Sequence, residues 1–195
     1  APNLIHVSKE RIQVELTKLL LSNHPDEIRK VFDRELDTRI CADFPKINPA
    51  QIAIDPGLPK EKHMRWAALL RHQTPEGAVA ILRQLKLDND TISKAKTLVQ
   101  WWKRPIGADQ TQIRKTMSQM APELYDDLLI LKASVGELEL QAEGCVEDLD
   151  WVKAQSGEIR QRGDCVSLKE LAVTGADLIQ AGMKPGKELG ETLKR

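Results

Sequence analysis

Apolar residues along this chain recur every third or fourth position and almost never every second, a spacing that belongs to helices buried on one face. Ser8 is placed to cap a helix running to about Ser22, with Ile12, Leu16, Leu19 and Leu20 on one face. Asn23-His24-Pro25 breaks it, and Pro25 or Asp26 opens a second helix with Ile28, Val31, Phe32 and Leu36 as its stripe. Further helices are predicted over Glu61–His72, from Pro75 through Leu85, over Thr91–Lys103 and Ala108–Met120, from Pro122 to Leu140 or beyond, and over Val146–Arg162. Between the first two and the rest, PKINPAQIAIDPGLPK (45–60) holds four prolines and a glycine, too many for regular structure, and reads as a long connection. Strand-like alternation is absent, so the expected fold is all-α: an elongated succession of helix pairs joined by short turns.

The 195 residues suffice for a real core, and 41% hydrophobic with 30% charged residues is ordinary for a globular chain. No apolar run approaches bilayer length; Leu19-Leu20-Leu21 is typical, and no membrane partner is expected. Cys41, Cys145 and Cys165 are odd in number and widely spaced, which fits free thiols in a reducing compartment. Nothing before the first helix reads as a secretory leader, so a cytoplasmic location is expected, and Ala1 in place of Met suggests a processed or partial chain. Zero net charge hides an uneven distribution. Basic residues dominate from Lys60 through Lys62, Arg65, Arg71, Arg83, Lys86, Lys94, Lys96, Lys103 and Arg104 to Arg114 and Lys115. From Glu123 to Asp150, acids face a single Lys132. A basic middle could follow a polyanion, although helical charges usually just solvate the outer face.

No catalytic centre is recognisable. Asp88-Asn89-Asp90 has the D-x-D spacing of a Mg²⁺ site, but it lies between two helices and fits a helix start better. His6, His24, His63 and His72 match no metal or phosphohydrolase spacing, and GxSxG, GxGxxG and GxxxxGK[ST] are missing. Trp101-Trp102 beside Lys103-Arg104 could stack bases, yet adjacent helical residues cannot share a face. One Trp in the core and the other over a helix end is the better reading.

The last stretch, VTGADLIQAGMKPGKELGETLKR, reads as a helix–turn–helix. Thr174 and Asp177 form a capping-box variant, Gly182 stops the first helix, and Pro185 suits the start of the second. Amides at that start, flanked by Lys184 and Lys187, would attract an anion. Gly182, Gly186 and Gly190 recur every fourth residue, leaving a face that another backbone could approach closely.

Two stretches carry a family resemblance. His6-Val7-Ser8-Lys9-Glu10-Arg11-Ile12 with Glu15-Leu16-Thr17-Lys18-Leu19-Leu20 resembles the S-x-E-R-I-x-x-E-[FL]-x-K-[IL]-L helix of bacterial tRNA nucleotidyltransferases, the CCA-adding enzymes related to poly(A) polymerases. Thr174-Gly175-Ala176-Asp177-Leu178, continuing through Gly182, Pro185 and Gly186 to Gly190, resembles their C-terminal T/S-G-x-D-L-x-x-x-G-x-x-P-G-x-x-[IL]-G segment. Arg65-Trp66-Ala67-Ala68-Leu69-Leu70 and Leu85-Lys86-Leu87-Asp88-Asn89 are similar to body helices of that family.

The family's G-G-x-x-R-D turn, D-x-D strand, R-R-D segment and E-D-x-x-R helix do not occur in this sequence. The resemblance therefore implies a portion without the catalytic head, in which CTP, ATP and Mg²⁺ are handled. It implies neck helices over 1–44, the Pro-rich connection over 45–60, a helical body over 61–140 and a tail over 141–195. It also implies that Glu10, Arg11 and Glu15 support the nucleotide pocket. The expected partners are the head and the acceptor arm and elbow of tRNA, with Lys184, Gly186, Lys187, Lys194 and Arg195 as the tRNA contacts. No cofactor is expected in this chain. The alternatives are a stand-alone helical module that binds RNA or protein, part of a poly(A) polymerase, or a purely structural scaffold.

Overall fold

The computed structural model describes residues 7–34, 40, 47, 49–166 and 175–192, and among them the regular elements are all helical. The chain forms two compact units: residues 1–105 with 123–149, and residues 106–122 with 150–195. Compactness thus divides the chain by return of the polypeptide rather than by order along it. The Pro-rich stretch falls inside the first unit.

In the first unit, α1 (Lys9–Leu20) starts at Ser8, whose Oγ accepts the Arg11 amide at 3.4 Å. It buries Ile12, Leu16, Thr17 and Leu20. The second predicted helix begins as a 3₁₀ turn, Pro25–Ile28, and becomes α2 only over Arg29–Asp33, with Ile28 and Phe32 buried. Leu36 lies outside the described residues. The central element is α3 (Lys62–Leu70), in which every residue from Met64 to Leu70 is buried. A helix apolar on all sides must be surrounded. It packs against α1 and α5 (Asn89–Trp101), and α5 also packs against α4 (Pro75–Gln84). The Trp66 indole N–H donates to Thr17 Oγ1 at 3.2 Å, tying α3 to α1. At the end of α4, Lys86 adopts φ 61°, and the amides of Lys86 and Leu87 return to Arg83 and Leu82.

The connection is irregular but firmly held. Ile52, Ile54 and Leu58 point inward, and its carbonyls are taken by arginines. Arg65, fully buried, donates from Nε to Pro59 O (3.1 Å), from Nη1 to Asp55 O (3.1 Å), and from Nη2 to Pro56 O (2.9 Å) and Leu58 O. Arg71 reaches Ala53 O (3.0 Å) and Gln51 O (3.3 Å) while forming a bidentate pair with Glu139. Arg29 takes Ile52 O at 2.6 Å. Side-chain forks thus replace the backbone ladder that the prolines forbid.

The predicted long helix from Pro122 is two helices, α7 (Pro122–Val135) and α8 (Glu137–Ala142). Gly136, at φ 87°, breaks the ladder because that conformation suits glycine alone at no steric cost. Lys132, fully buried on α7, donates to Arg104 O at 2.8 Å and ion-pairs with Glu147.

In the second unit, α6 (Gln110–Met117) buries Ile113, Thr116 and Met117, and α9 (Leu149–Arg162) buries Val152, Ser156 and Ile159. Asp109 caps α6 through the Gln112 amide. Helix α9 starts three residues later than the sequence suggests, leaving Val146 75% exposed. Arg114 and Arg162 share Asp164 at 2.7 and 3.0 Å. Two short helices follow, α10 (Gly175–Gln180) and α11 (Lys187–Thr192), packed on each other.

Candidate nucleic-acid interface

Helix α1 buries Ile12, Leu16 and Leu20, while Val14 and, just before the helix, Val7 are 43% and 38% exposed. A groove of about 800 Å³ runs along the helix, with Ile12, Val14, Leu16, Leu19, Val31 and Ile40 among its walls. Glu10, Arg11 and Glu15 line the same groove, so the three residues expected to act together are together. Arg11 and Glu15 stand four residues apart, a spacing that allows a pair within the helix. Glu15 pairs instead with Lys18 at 2.8 Å, both well exposed, and such a pair is worth little. The carboxylates and guanidinium therefore rim an apolar surface rather than neutralise one another. Sequence reasoning missed the groove itself, because its walls join α1 to Val31 and Ile40.

The terminal helix–turn–helix forms as expected in outline. Gly182, at φ 100°, closes α10: its amide and that of Met183 return to Ile179 O (3.0 Å) and Leu178 O (2.9 Å). Helix α11 begins at Lys187 rather than at Pro185, and the Gly190 amide meets Gly186 O at 3.4 Å. Lys184, Gly186 and Lys187 are exposed. Among the described residues, a side chain built at Gly182, Gly186 or Gly190 would meet nothing within 4 Å, so no close approach uses these glycines there. Thr174, Lys194 and Arg195 lie outside the described residues.

The basic middle needs the larger correction. Arg65 and Arg71 are buried and serve the connection, because a guanidinium can satisfy several carbonyls at once. Lys94 is paired with Asp90 (2.7 Å), Lys103 with Glu143 (3.5 Å), and Arg114 with Asp164. Lys60 bonds Asn23. Among the described residues, Lys60, Arg83, Lys86, Lys96, Arg104 and Lys115 remain exposed without an ion pair. The polyanion-facing charge is thus thinner than the sequence suggests.

Trp102 is buried and donates to Arg71 O at 2.5 Å, whereas Trp101 is half-buried under the Arg104 guanidinium at 5.4 Å. The pair is divided between core and helix end. Asp88 caps α5, accepting the Thr91 amide (2.8 Å) and hydroxyl (2.9 Å). Those bonds, the amide first, hold its carboxyl below the usual range. Asp90 belongs to Lys94, so the D-x-D spacing is a helix start. His63 meets Asp127 at 2.7 Å, and His72 lies beside Glu139 and Glu143. Burial first, then Arg71, pushes His72 down despite those acids. Among the described residues, no group of three His, Cys, Asp or Glu could hold a metal, and no helix is long and apolar enough to cross a membrane.

Comparison with known proteins gives this geometry a context. A family model described as tRNA nucleotidyltransferase domain 2 matches residues 59–195. A second, described as an RNA and SrmB- binding site of polymerase A, matches residues 1–35 and so contains α1 and the groove walls other than Ile40. The CCA-adding enzyme of Lacticaseibacillus paracasei is 29% identical over 201 aligned positions, covering 98% of this chain and 45% of the relative. The chain therefore spans about half the length of that relative. No solved structure matches. With the second-domain model covering everything from the end of the Pro-rich connection onward, the chain belongs to the tRNA nucleotidyltransferase family.

Proposed function

We propose that this chain is the tRNA-binding portion of an enzyme that adds CCA to tRNA 3′ ends from CTP and ATP. The carrying observation is that an RNA-binding-site match over residues 1–35 is followed directly in sequence order by the nucleotidyltransferase match over 59–195. The chain covers 45% of its CCA-adding relative, and in this reading nucleotidyl transfer belongs to a catalytic head outside these residues.

In this reading residues 1–44 are the neck, 61–140 the body and 141–195 the tail. The head packs along the groove at α1, over exposed Val14, where Glu10, Arg11 and Glu15 steady the nucleotide pocket. Body and tail hold the acceptor arm and elbow. Lys184, Lys187 and the Gly186 amide, with Lys194 and Arg195, take phosphates; such contacts position RNA without reading its sequence.

Filter binding to tRNA across a salt series tests this. Changing Lys184 and Lys187 together to Ala should weaken binding and reduce the salt slope by about 1.4 to 1.8, the loss of two phosphate contacts. Unchanged affinity and slope would remove those lysines from the interface, and no binding at low salt would favour the structural scaffold. Incubated with tRNA, CTP, ATP and Mg²⁺, the chain alone should yield no extended product; product would overturn the division of labour. The polymerase A description of residues 1–35 favours a second reading, part of a poly(A) polymerase. The products of the intact parent decide: CCA ends or homopolymeric A.

A further inference from the structure

We propose that Lys132, Cys145 and Glu147 form a peroxide-sensitive cross-linking site, in which the Cys145 sulfur and the Lys132 nitrogen become joined by a covalent S–N bond. Three reactive groups meet here, with Lys132 and Cys145 buried. Lys132 Nζ lies 3.2 Å from Cys145 Sγ, and Glu147 Oε1 lies 3.4 Å from the same sulfur while pairing with Nζ. Lys132 is held from behind by Arg104 O at 2.8 Å, so its nitrogen cannot swing away without losing a buried bond. The separation of 3.2 Å is the near-attack range for bond formation.

Lys132 and Cys145 are 0% and 1% exposed, but Cys145 stands in the loop between α8 and α9, between exposed Gly144 and Val146. The sulfur therefore lies just beneath the surface, within reach of a small neutral oxidant on slight opening of the loop. Burial pushes the thiol up, and the Lys132 ammonium 3.2 Å away opposes that shift by favouring the thiolate.

The chemistry balances with one equivalent of hydrogen peroxide. The sulfur attacks a peroxide oxygen, the S–O bond forms as the O–O bond breaks, and the thiol proton leaves with the departing hydroxide as water. This gives the sulfenic acid, which condenses readily with a nearby nitrogen. Lys132, on passing a proton to Glu147, attacks sulfur. The S–N bond forms, the S–O bond breaks, and the leaving hydroxide takes a second nitrogen proton as water. The ammonium is consumed and the carboxylate is protonated in the same event, so no unpaired charge is left buried. Sulfur is oxidised from thiol to sulfenamide, and peroxide is reduced to water. Excess thiol reverses the link by attacking sulfur and releasing the amine.

The test treats the full chain, with Cys41 and Cys165 changed to Ser, with hydrogen peroxide alone and maps the products by peptide mass spectrometry. The expected result is a peptide pair joined through Lys132 and Cys145, lighter than the reduced pair by two hydrogen atoms and separated again by dithiothreitol. The urea-unfolded chain should give no such pair, since the 3.2 Å approach is a property of the fold. In Lys132→Met, Cys145 should pass on to sulfinic and sulfonic acids. The proposal is overturned if the folded chain yields Cys145 as free thiol or higher acids without the linked pair, or if the unfolded chain links equally well.

Discussion

Replacing Arg65 by Met is the sharpest probe of how the first unit is held. Nothing at residue 65 faces solvent, and its guanidinium serves four carbonyls between Asp55 and Pro59. Met retains much of the buried stem, so hydrophobic loss is small and the effect falls on those carbonyls. Asp55 and Pro56 are exposed and their carbonyls can turn to water, whereas Leu58 is 2% exposed and its carbonyl is harder to rehydrate. Stripping the cation from a buried polar set costs about 3–5 kcal/mol, and the exposed pair brings the expectation to the lower end, about 3 kcal/mol. For a chain of this size that is a fall in melting temperature of roughly 6–12 °C. Arg65→Lys keeps the charge but not the fork, and should lose about half as much. Urea titration by far-UV dichroism and Trp emission measures both, and coincident curves check the two-state assumption. A destabilisation below about 0.5 kcal/mol would refute the clamp. So would a variant of full stability whose tRNA affinity collapses, for that would make Arg65 an RNA contact after all.

Other substitutions separate packing from binding. Lys86→Gly relieves the left-handed backbone at φ 61° and should stabilise by about 1 kcal/mol in urea titration, while any drop in tRNA affinity would mark Lys86 as a contact. Asp88→Ala should cost about 1 kcal/mol by removing the α5 cap. Because the Asp88 carboxyl is depressed when folded, its contribution is complete above the unfolded value and disappears as pH falls through the folded one; Asp88→Asn should flatten that acid limb. Burial depresses His72 as well, so stability should decline as pH drops below about 6.5, and a His72→Gln variant lacking this slope would assign it. Gly107, at φ 151°, leaves only 2.4 Å between a built Cβ and Gln112 Cβ, so Gly107→Ala should destabilise by about 2 kcal/mol, read by thermal melting. Val14→Ser should leave this chain within about 0.5 kcal/mol of the original yet lower the melting temperature of the full-length parent if the head packs on α1.

Helix identity was legible wherever one face alone is buried. Ser8, Ile12, Leu16 and Leu20 announce α1, and Pro75 announces α4. Legibility failed where a residue's role depends on a distant partner. Arg65 and Arg71 read as surface charge because the carbonyls they satisfy belong to an irregular segment that leaves no periodic trace. Gly136 read as tolerated within a helix, since sequence does not distinguish a helical glycine from one at φ 87°. At the candidate interface, the spacing of Glu10, Arg11 and Glu15 was visible, but the groove needed Val31 and Ile40, which only the fold brings beside α1.

The clamp on residues 51–59 grips carbonyl oxygens, which every amino acid carries. Gln51, Ala53, Asp55 and Pro56 are held by what they share rather than by what distinguishes them. Substitution can therefore drift widely along this segment without loosening it, provided that Ile52, Ile54 and Leu58 stay apolar. The two arginines enjoy no such freedom. Variation and constraint are separated onto different stretches of chain, so a library randomised over the exposed positions of 51–59 should return mostly folded members, whereas one randomised at 65 and 71 should return almost none.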